Sequence, residues 1–260
     1  MNDRWTFESR SDDHSPEPAG SNRILRFEAG RSFSAVADEA PVLPLTHVPG
    51  LEVPHRISLP TGFESGYAYP LIVWLHDDGC DEDEIDEILP RISERNYLAV
   101  AMQGNIARPT GRGWSTADDL LPKILEDLGE LVAGVEEQYR IHSDRIYLAG
   151  FGTGGSLAWE LLLRQPRPWA GAICLSGQFP QMDHPLAMFR ELQQRRLLLS
   201  TGLDGDSQRV AELVNSGRLM YSAGLEVGTR IYDSGRRLPT DKMLRDVDRW
   251  VMDSIATAVR

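Results

Sequence analysis

Only two cysteines, Cys80 and Cys174, occur in 260 residues. That excludes a disulfide-built scaffold and leaves open at most one bridge between the two. No apolar run approaches the roughly 18 residues of a membrane helix, so no spanning segment is expected. Basic charge is in deficit: 27 Lys and Arg stand against 39 Asp and Glu, for a formal net charge of −12. Such a surface repels phosphate backbones. Basic clusters do not exceed pairs such as Arg195-Arg196 and Arg236-Arg237, so nucleic acid is not an expected partner. Histidine is also scarce, with six in the chain and none after His184. Residues 1–22 have neither the basic start nor the apolar stretch of a secretory signal, and almost no aliphatic side chains. They read as a flexible polar tail, and the chain as cytoplasmic.

What is present is ordinary for a globular protein: 41% apolar, 25% charged and 8% aromatic residues, in a length ample for a closed core. From Arg23 the pattern becomes that of one domain, 23–260. Arg23 to Phe27 reads as a short strand, and Pro41 to Pro54 as an extended connection. His55 to Leu59 alternates like a half-buried strand. Continuous apolar runs follow at Leu71–Leu75, Tyr97–Met102, Ile146–Ala149 and Ala170–Leu175. Their lack of alternation fits strands covered on both faces of a parallel sheet.

Helical stripes separate these runs. Ile85, Ile88, Leu89 and Ile92 share one face. Leu121, Ile124, Leu125, Leu128, Val132 and Val135 share another, and Leu157, Leu161 and Leu162 a third. After a strand at Leu197–Ser200 come a helix from Ser207 to Tyr221, a strand at Val227–Tyr232 and a helix from Thr240 to Ala258. Repeated β-α order predicts an α/β fold with a mostly parallel central sheet and helices on both faces. Chemistry in such sheets sits at the carboxyl ends of the strands. The loops to inspect therefore start at His76, Gly104, Gly150, Ser176, Thr201 and Asp233.

One of these loops carries a motif. Residues 145–155 read RIYLAGFGTGG and enter a helix predicted from Ser156. A strand, a tight glycine turn and a helix are the setting of a nucleophile elbow, G-x-S-x-G, whose central side chain projects above the sheet. Here the central residue is Gly152, which has no side chain. The chain resembles the phospholipase/carboxylesterase branch of the α/β-hydrolases. The residues that carry the likeness are Tyr69 to His76, Asp144 to Phe151 with Gly154-Gly155, Trp169 to Gly171 with Ser176-Gly177, and Ala223 to Val227 leading to Tyr232.

The resemblance implies an ester hydrolase with a Ser-His-Asp triad, and each triad position is altered. The serine aligns with Gly152. The acid aligns with Gly205, flanked by Asp204 and Asp206. The histidine aligns with Arg236, in Gly235-Arg236-Arg237-Leu238-Pro239. The oxyanion loop, H-G-x-G in the family, is His76-Asp77-Asp78-Gly79, and its donors would be the backbone amides of Asp78 and Thr153. A triad acts as a unit, so loss of serine and histidine together predicts a pseudoenzyme. Such a protein would keep a pocket for a small ester, acid or acyl ligand, or a role in binding another protein. His76, Trp114, Phe151 and Arg236 are the candidate pocket residues, with Tyr69 and Phe179 as further shaping groups. The alternative is an active carboxylic ester hydrolase with a nucleophile elsewhere.

Other readings of the same residues are weaker. Residues 150–155 also spell G-x-G-x-x-G, but the next strand ends Leu175-Ser176-Gly177 without an acid for a ribose, and the motif falls midway along the sheet. No cofactor is expected. A bound anion at the glycine-lined helix N-terminus, helped by Arg236, is the more plausible use of the loop. Residues 77–87, DDGCDEDEIDE, hold eight carboxylates but lack the spacing of a calcium loop, and read as an acidic first helical turn. Cys80 lies among carboxylates that raise its thiol pKa, and Cys174 reads as an inert core residue. Ser156 reads as a capping or packing residue.

Overall fold

The computed structural model describes residues 45–117, 119–203, 207–234 and 237–258. The tail at 1–22 and the strand expected at Arg23–Phe27 lie outside them.

The alternation of buried runs and amphipathic stripes resolves into nine strands and six helices among the described residues. In chain order these are β1 (His55–Ser58), β2 (Tyr69–Leu75), α1 (Ile85–Ile92), β3 (Leu98–Met102), β4 (Ile106–Ala107), β5 (Arg112–Gly113), α2 (Leu121–Gln138), β6 (Ile141–Phe151), α3 (Gly152–Arg164), β7 (Gly171–Leu175), α4 (Phe189–Leu192), β8 (Arg196–Gly202), α5 (Ser207–Ser222), β9 (Glu226–Tyr232) and α6 (Asp241–Ala258). Seven strands form one sheet in the order β1-β3-β2-β6-β7-β8-β9. Only β1 runs antiparallel to its neighbour. β4 and β5 form a separate short hairpin.

The continuous apolar runs are explained by two covered faces. Along β2, Leu71, Val73 and Leu75 enter one core cluster with α2, α3 and α5, while Ile72 and Trp74 enter the other with α1 and α6. Strand β3 divides the same way, with Leu98, Val100 and Met102 on the first face and Ala99 and Ala101 on the second. Side chains of a strand alternate by two, so a strand apolar at every position needs a helical layer on each side. The three helical stripes behave accordingly: every named residue except the half-buried Leu125 is buried. No helix among the described residues is long and apolar enough to cross a membrane.

Two expectations change. Strand β6 starts at Ile141, five residues before the apolar run expected at Ile146. The pairing with β2 jumps from Tyr69↔Ile141 to Leu71↔Ile146, so a bulge absorbs the extra residues. Helix α3 begins at Gly152 and not at Ser156. The helix starts directly where β6 ends, which makes the turn as tight as an elbow requires.

From β2 the chain winds to β3 on one side, then crosses to β6 on the other. A crevice opens at such a reversal, above the carboxyl ends of β2 and β6. Its floor is set by glycines. A Cβ on Gly154 would lie 2.0 Å from the Leu75 carbonyl oxygen and 2.5 Å from that of His76, and one on Gly150 would lie 2.5 Å from the Gly154 backbone. By contrast, Gly129 on α2 is exposed and has nothing within 4 Å of its missing Cβ. Gly154→Ala is expected to cost at least about 2 kcal/mol, since backbone must move, and Gly129→Ala to gain roughly 0.5–1 kcal/mol. Urea unfolding of the two variants checks this, and an unaffected Gly154→Ala would contradict the close approach.

Candidate functional site

The crevice brings together residues 75 positions apart. Gly152 takes a left-handed backbone, φ +55°, which glycine adopts at little cost. Phe151, the residue before α3, contributes no side-chain cap. The cap comes instead from the loop after β2. The Asp77 Oδ1 atom accepts a hydrogen bond from the Thr153 amide at 2.8 Å and another from the Thr153 hydroxyl at 2.9 Å. The Asp78 amide in turn donates to Thr153 Oγ1 at 3.1 Å. A carboxylate here satisfies an orphan helix amide and faces the positive end of the α3 dipole.

Asp77 also fills space. A Cβ built on Gly152 would lie 2.3 Å from Asp77 Oδ1, 2.4 Å from Cγ and 2.5 Å from Oδ2. The Asp77 carboxylate therefore stands where the first atom of any side chain at position 152 would be. The amides of Asp78 and Thr153, expected to be free donors for a ligand, are bonded within the protein. The anion expected at this helix N-terminus is supplied by the chain itself.

The loop that carries Asp77 is braced from several directions. His76 is fully buried. Its Nε2 accepts from the Gly104 amide at 2.9 Å, which leaves Nδ1 as the protonated nitrogen, donating to the Asp77 carbonyl at 2.8 Å. Trp114 Nε1 donates to the His76 carbonyl at 2.8 Å. The β4–β5 hairpin pairs with the loop through Gly79 N to Arg112 O and Arg112 N to Cys80 O, both 2.8 Å. Arg108 holds Asp78 at 3.0 Å.

These contacts relocate three expected pocket residues. His76 and Trp114 are buried parts of the loop's support, and Phe151 packs in the core layer with α1 and α6. Tyr69 lies at the opposite end of β2, its hydroxyl accepting from the Glu64 amide. Phe179 does line a cavity. Asp204, Gly205, Asp206 and Arg236 lie outside the described residues. Arg237, next to Arg236, lines the crevice together with Asp77, Gly152, Thr153 and Arg209. Ser156 sits on the second turn of α3. Its hydroxyl donates to the Gly152 carbonyl at 3.2 Å and accepts from the Gln178 amide at 2.8 Å, tying α3 to the loop after β7.

The family model described as Phospholipase/Carboxylesterase matches residues 110–192. Over 119 residues the chain is 32% identical to NocK of Nocardia uniformis subsp. tsuyamanensis, a protein with an esterase name, covering 43% of this chain and 33% of that protein. The chain thus spans about a third of this curated relative. Among solved structures, a carboxylesterase from Mesorhizobium loti superposes with a TM-score of 0.64 at 22% identity, covering 79% of this chain and 97% of that one. The Bacillus cereus carboxylesterase gives 0.61 at 16% identity, covering 78% and 95%. This is the α/β-hydrolase fold, and the likeness is to its phospholipase/carboxylesterase branch.

Within that α/β-hydrolase frame the acidic run is spent on structure. Asp81 caps a short 3-10 turn, Glu82 takes the Gln103 amide, Glu84 takes Trp74 Nε1, and Asp86 pairs with Arg56. Each glycine of the G-x-G-x-x-G pattern has a steric reason of its own: a Cβ would meet the Leu75 and Gly154 backbone at Gly150, the Asp77 side chain at Gly152, and the Gly150 and Leu175 backbone at Gly155.

Both cysteines are free thiols. Burial, then the charge of Glu84 and a hydrogen bond with it, push the Cys80 thiol up to about 11. Burial pushes Cys174 up to about 12. At pH 8 a thiol near 11 is about 0.1% thiolate, against roughly a quarter for an ordinary cysteine. Iodoacetamide labelling of Cys80 in the native protein, followed by mass, should therefore run about two orders of magnitude slower than for a free cysteine; labelling at the free rate would refute this environment.

The contact between Asp77 and position 152 yields a double-mutant cycle. Gly152→Ser should cost about 2–3 kcal/mol, from the left-handed backbone and the displaced cap. Asp77→Ala should cost about 1 kcal/mol. Together they should cost about 1 kcal/mol less than the two combined, because the cap is lost once only. Additivity within about 0.3 kcal/mol in urea unfolding would show that the two positions do not compete for the same space.

Proposed function

We propose that this chain is a non-catalytic member of the hydrolase family that binds a small molecule beside its former reaction centre. The observation that carries the reading is the Asp77 carboxylate lodged where a side chain on Gly152 would start. By the family resemblance Gly152 holds the nucleophile position and Arg236 the histidine position. Acyl transfer needs an attacking atom, a base to take its proton and free donors for the oxyanion. Position 152 supplies no attacking atom. The Thr153 amide is already bonded to Asp77. A carboxylate in that place would also repel the negative charge that develops on a tetrahedral intermediate.

Thr153 offers no substitute. Its hydroxyl donates to Asp77 and accepts from the Asp78 amide, so it serves as part of the cap. Cys80 and Cys174 are held protonated by their surroundings, and Cys174 is buried. His76 has both ring nitrogens committed to backbone groups.

The purified protein should hydrolyse p-nitrophenyl acetate and butyrate no faster than buffer and take no label from a fluorophosphonate. Asp77→Ala combined with Gly152→Ser should remain equally inactive, because reopening the space restores no imidazole. Turnover above buffer by the unaltered protein, with a labelled serine, would overturn the reading.

A further inference from the structure

A second space lies beside the crevice, at the carboxyl ends of β7 and β8 and between α3 and α5. Its volume is about 470 Å³, within the usual range for small-molecule sites. It shares Gly177, Gln178 and Arg209 with the crevice, so the two adjoin.

One part of its wall is apolar: Trp159, Phe179, Leu199, Leu213 and the Cys174 side chain. The Trp159 and Phe179 rings meet edge to face, with centroids 5.1 Å apart and planes at 86°, so the wall holds a preformed aromatic pair. Another part is uncharged and polar, with Gln178, Gln181, Asn215 and Ser216. Among the described residues the ionic groups are one of each sign, Arg209 and Glu212, and Arg209 already has an interaction partner.

Each wall feature restricts the occupant. A long acyl chain would press methylenes against amides and hydroxyls, and each polar group so covered costs about 1–3 kcal/mol without a new hydrogen bond. A carboxylate reaching toward Gly152 would meet the Asp77 carboxylate, beside the Arg209 and Arg237 that line the same crevice, and find the Thr153 amide taken. A flat ring fits the aromatic and leucine wall, and hydrogen-bonding substituents fit the amide wall. We infer that this cavity binds a compact, uncharged aromatic molecule bearing hydroxyl or carbonyl groups. The inference rests on the non-catalytic reading for its premise that such a ligand is held and not cleaved.

The test uses 7-hydroxycoumarin at pH 6, where it is neutral, with dodecanoate and benzoate as comparisons, each titrated calorimetrically into the full chain. The coumarin should bind one to one, and the two carboxylates at least tenfold more weakly. Ser216→Trp, which fills the cavity from a half-buried position, should weaken the coumarin at least tenfold. Asn215→Leu, at an exposed position that tolerates change, should weaken it several-fold and keeps the test available if the tryptophan variant misfolds. Absence of coumarin binding, tighter binding of dodecanoate or benzoate, or unchanged affinity in both variants would overturn the inference. Release of fluorescence from 7-acetoxycoumarin above the buffer rate would overturn the non-catalytic reading separately, leaving the binding result to stand on its own.

Discussion

The end of β2 touches the start of α3 backbone to backbone. With Gly154 only a hydrogen away from the Leu75 and His76 carbonyls, the first turn of the helix sits directly over the sheet, and β2, β6 and β7 finish level with one another. Any residue larger than glycine at 154 would lift α3 off the sheet. Everything at the site follows from this approach. It sets Thr153 beside the loop after β2, and it brings residue 77 within one hydrogen bond of residue 153.

The loop could have met that helix in many ways, and its bracing selects one. His76 spends both nitrogens on backbone, Trp114 holds the His76 carbonyl, and the β4–β5 hairpin zips onto Gly79 and Cys80. With the backbone fixed on every side, the Asp77 side chain has a short, determined reach, and it ends on the amide that most needs an acceptor. A charge that would be costly among other carboxylates is offset here by two short hydrogen bonds and a helix dipole. Four other acidic side chains of the run, Asp78, Glu82, Glu84 and Asp86, have partners of their own in Arg108, Gln103, Trp74 and Arg56.

The layered fold was legible because its physics is local. Buried strands must be apolar at every position and helices must be striped, and those patterns gave the seven-stranded sheet and its main helices to within a few residues. The elbow was legible for the same reason: four glycines within the six residues 150–155, at the junction of a strand and a helix, have few other uses. What could not be read was the contact between Asp77 and Gly152. It depends on two loops meeting at a strand reversal, and no periodicity encodes where a side chain points across such a gap. The burial of His76 and Trp114 was hidden likewise, since it is due to a hairpin of two-residue strands too short to leave a pattern. The placement of Phe151 was within reach: in β6 it follows Tyr147 and Ala149 at a spacing of two, and these three share the face covered by α1 and α6.

The same contact explains why binding would shift sideways. In a reversal crevice the strongest fixed donors are the helix amides, and a ligand normally competes with water for them. Here it would compete with a tethered carboxylate, whose local concentration no free anion matches. Ligands that depend on those donors are therefore disfavoured, whatever their fit elsewhere. The neighbouring space between α3 and α5 is lined, among the described residues, by both an aromatic surface and side-chain amides. On the proposed non-catalytic reading, closing one site by an internal anion beside an adjoining cavity would change the preferred guest from an acyl group awaiting attack to a neutral molecule that is only held.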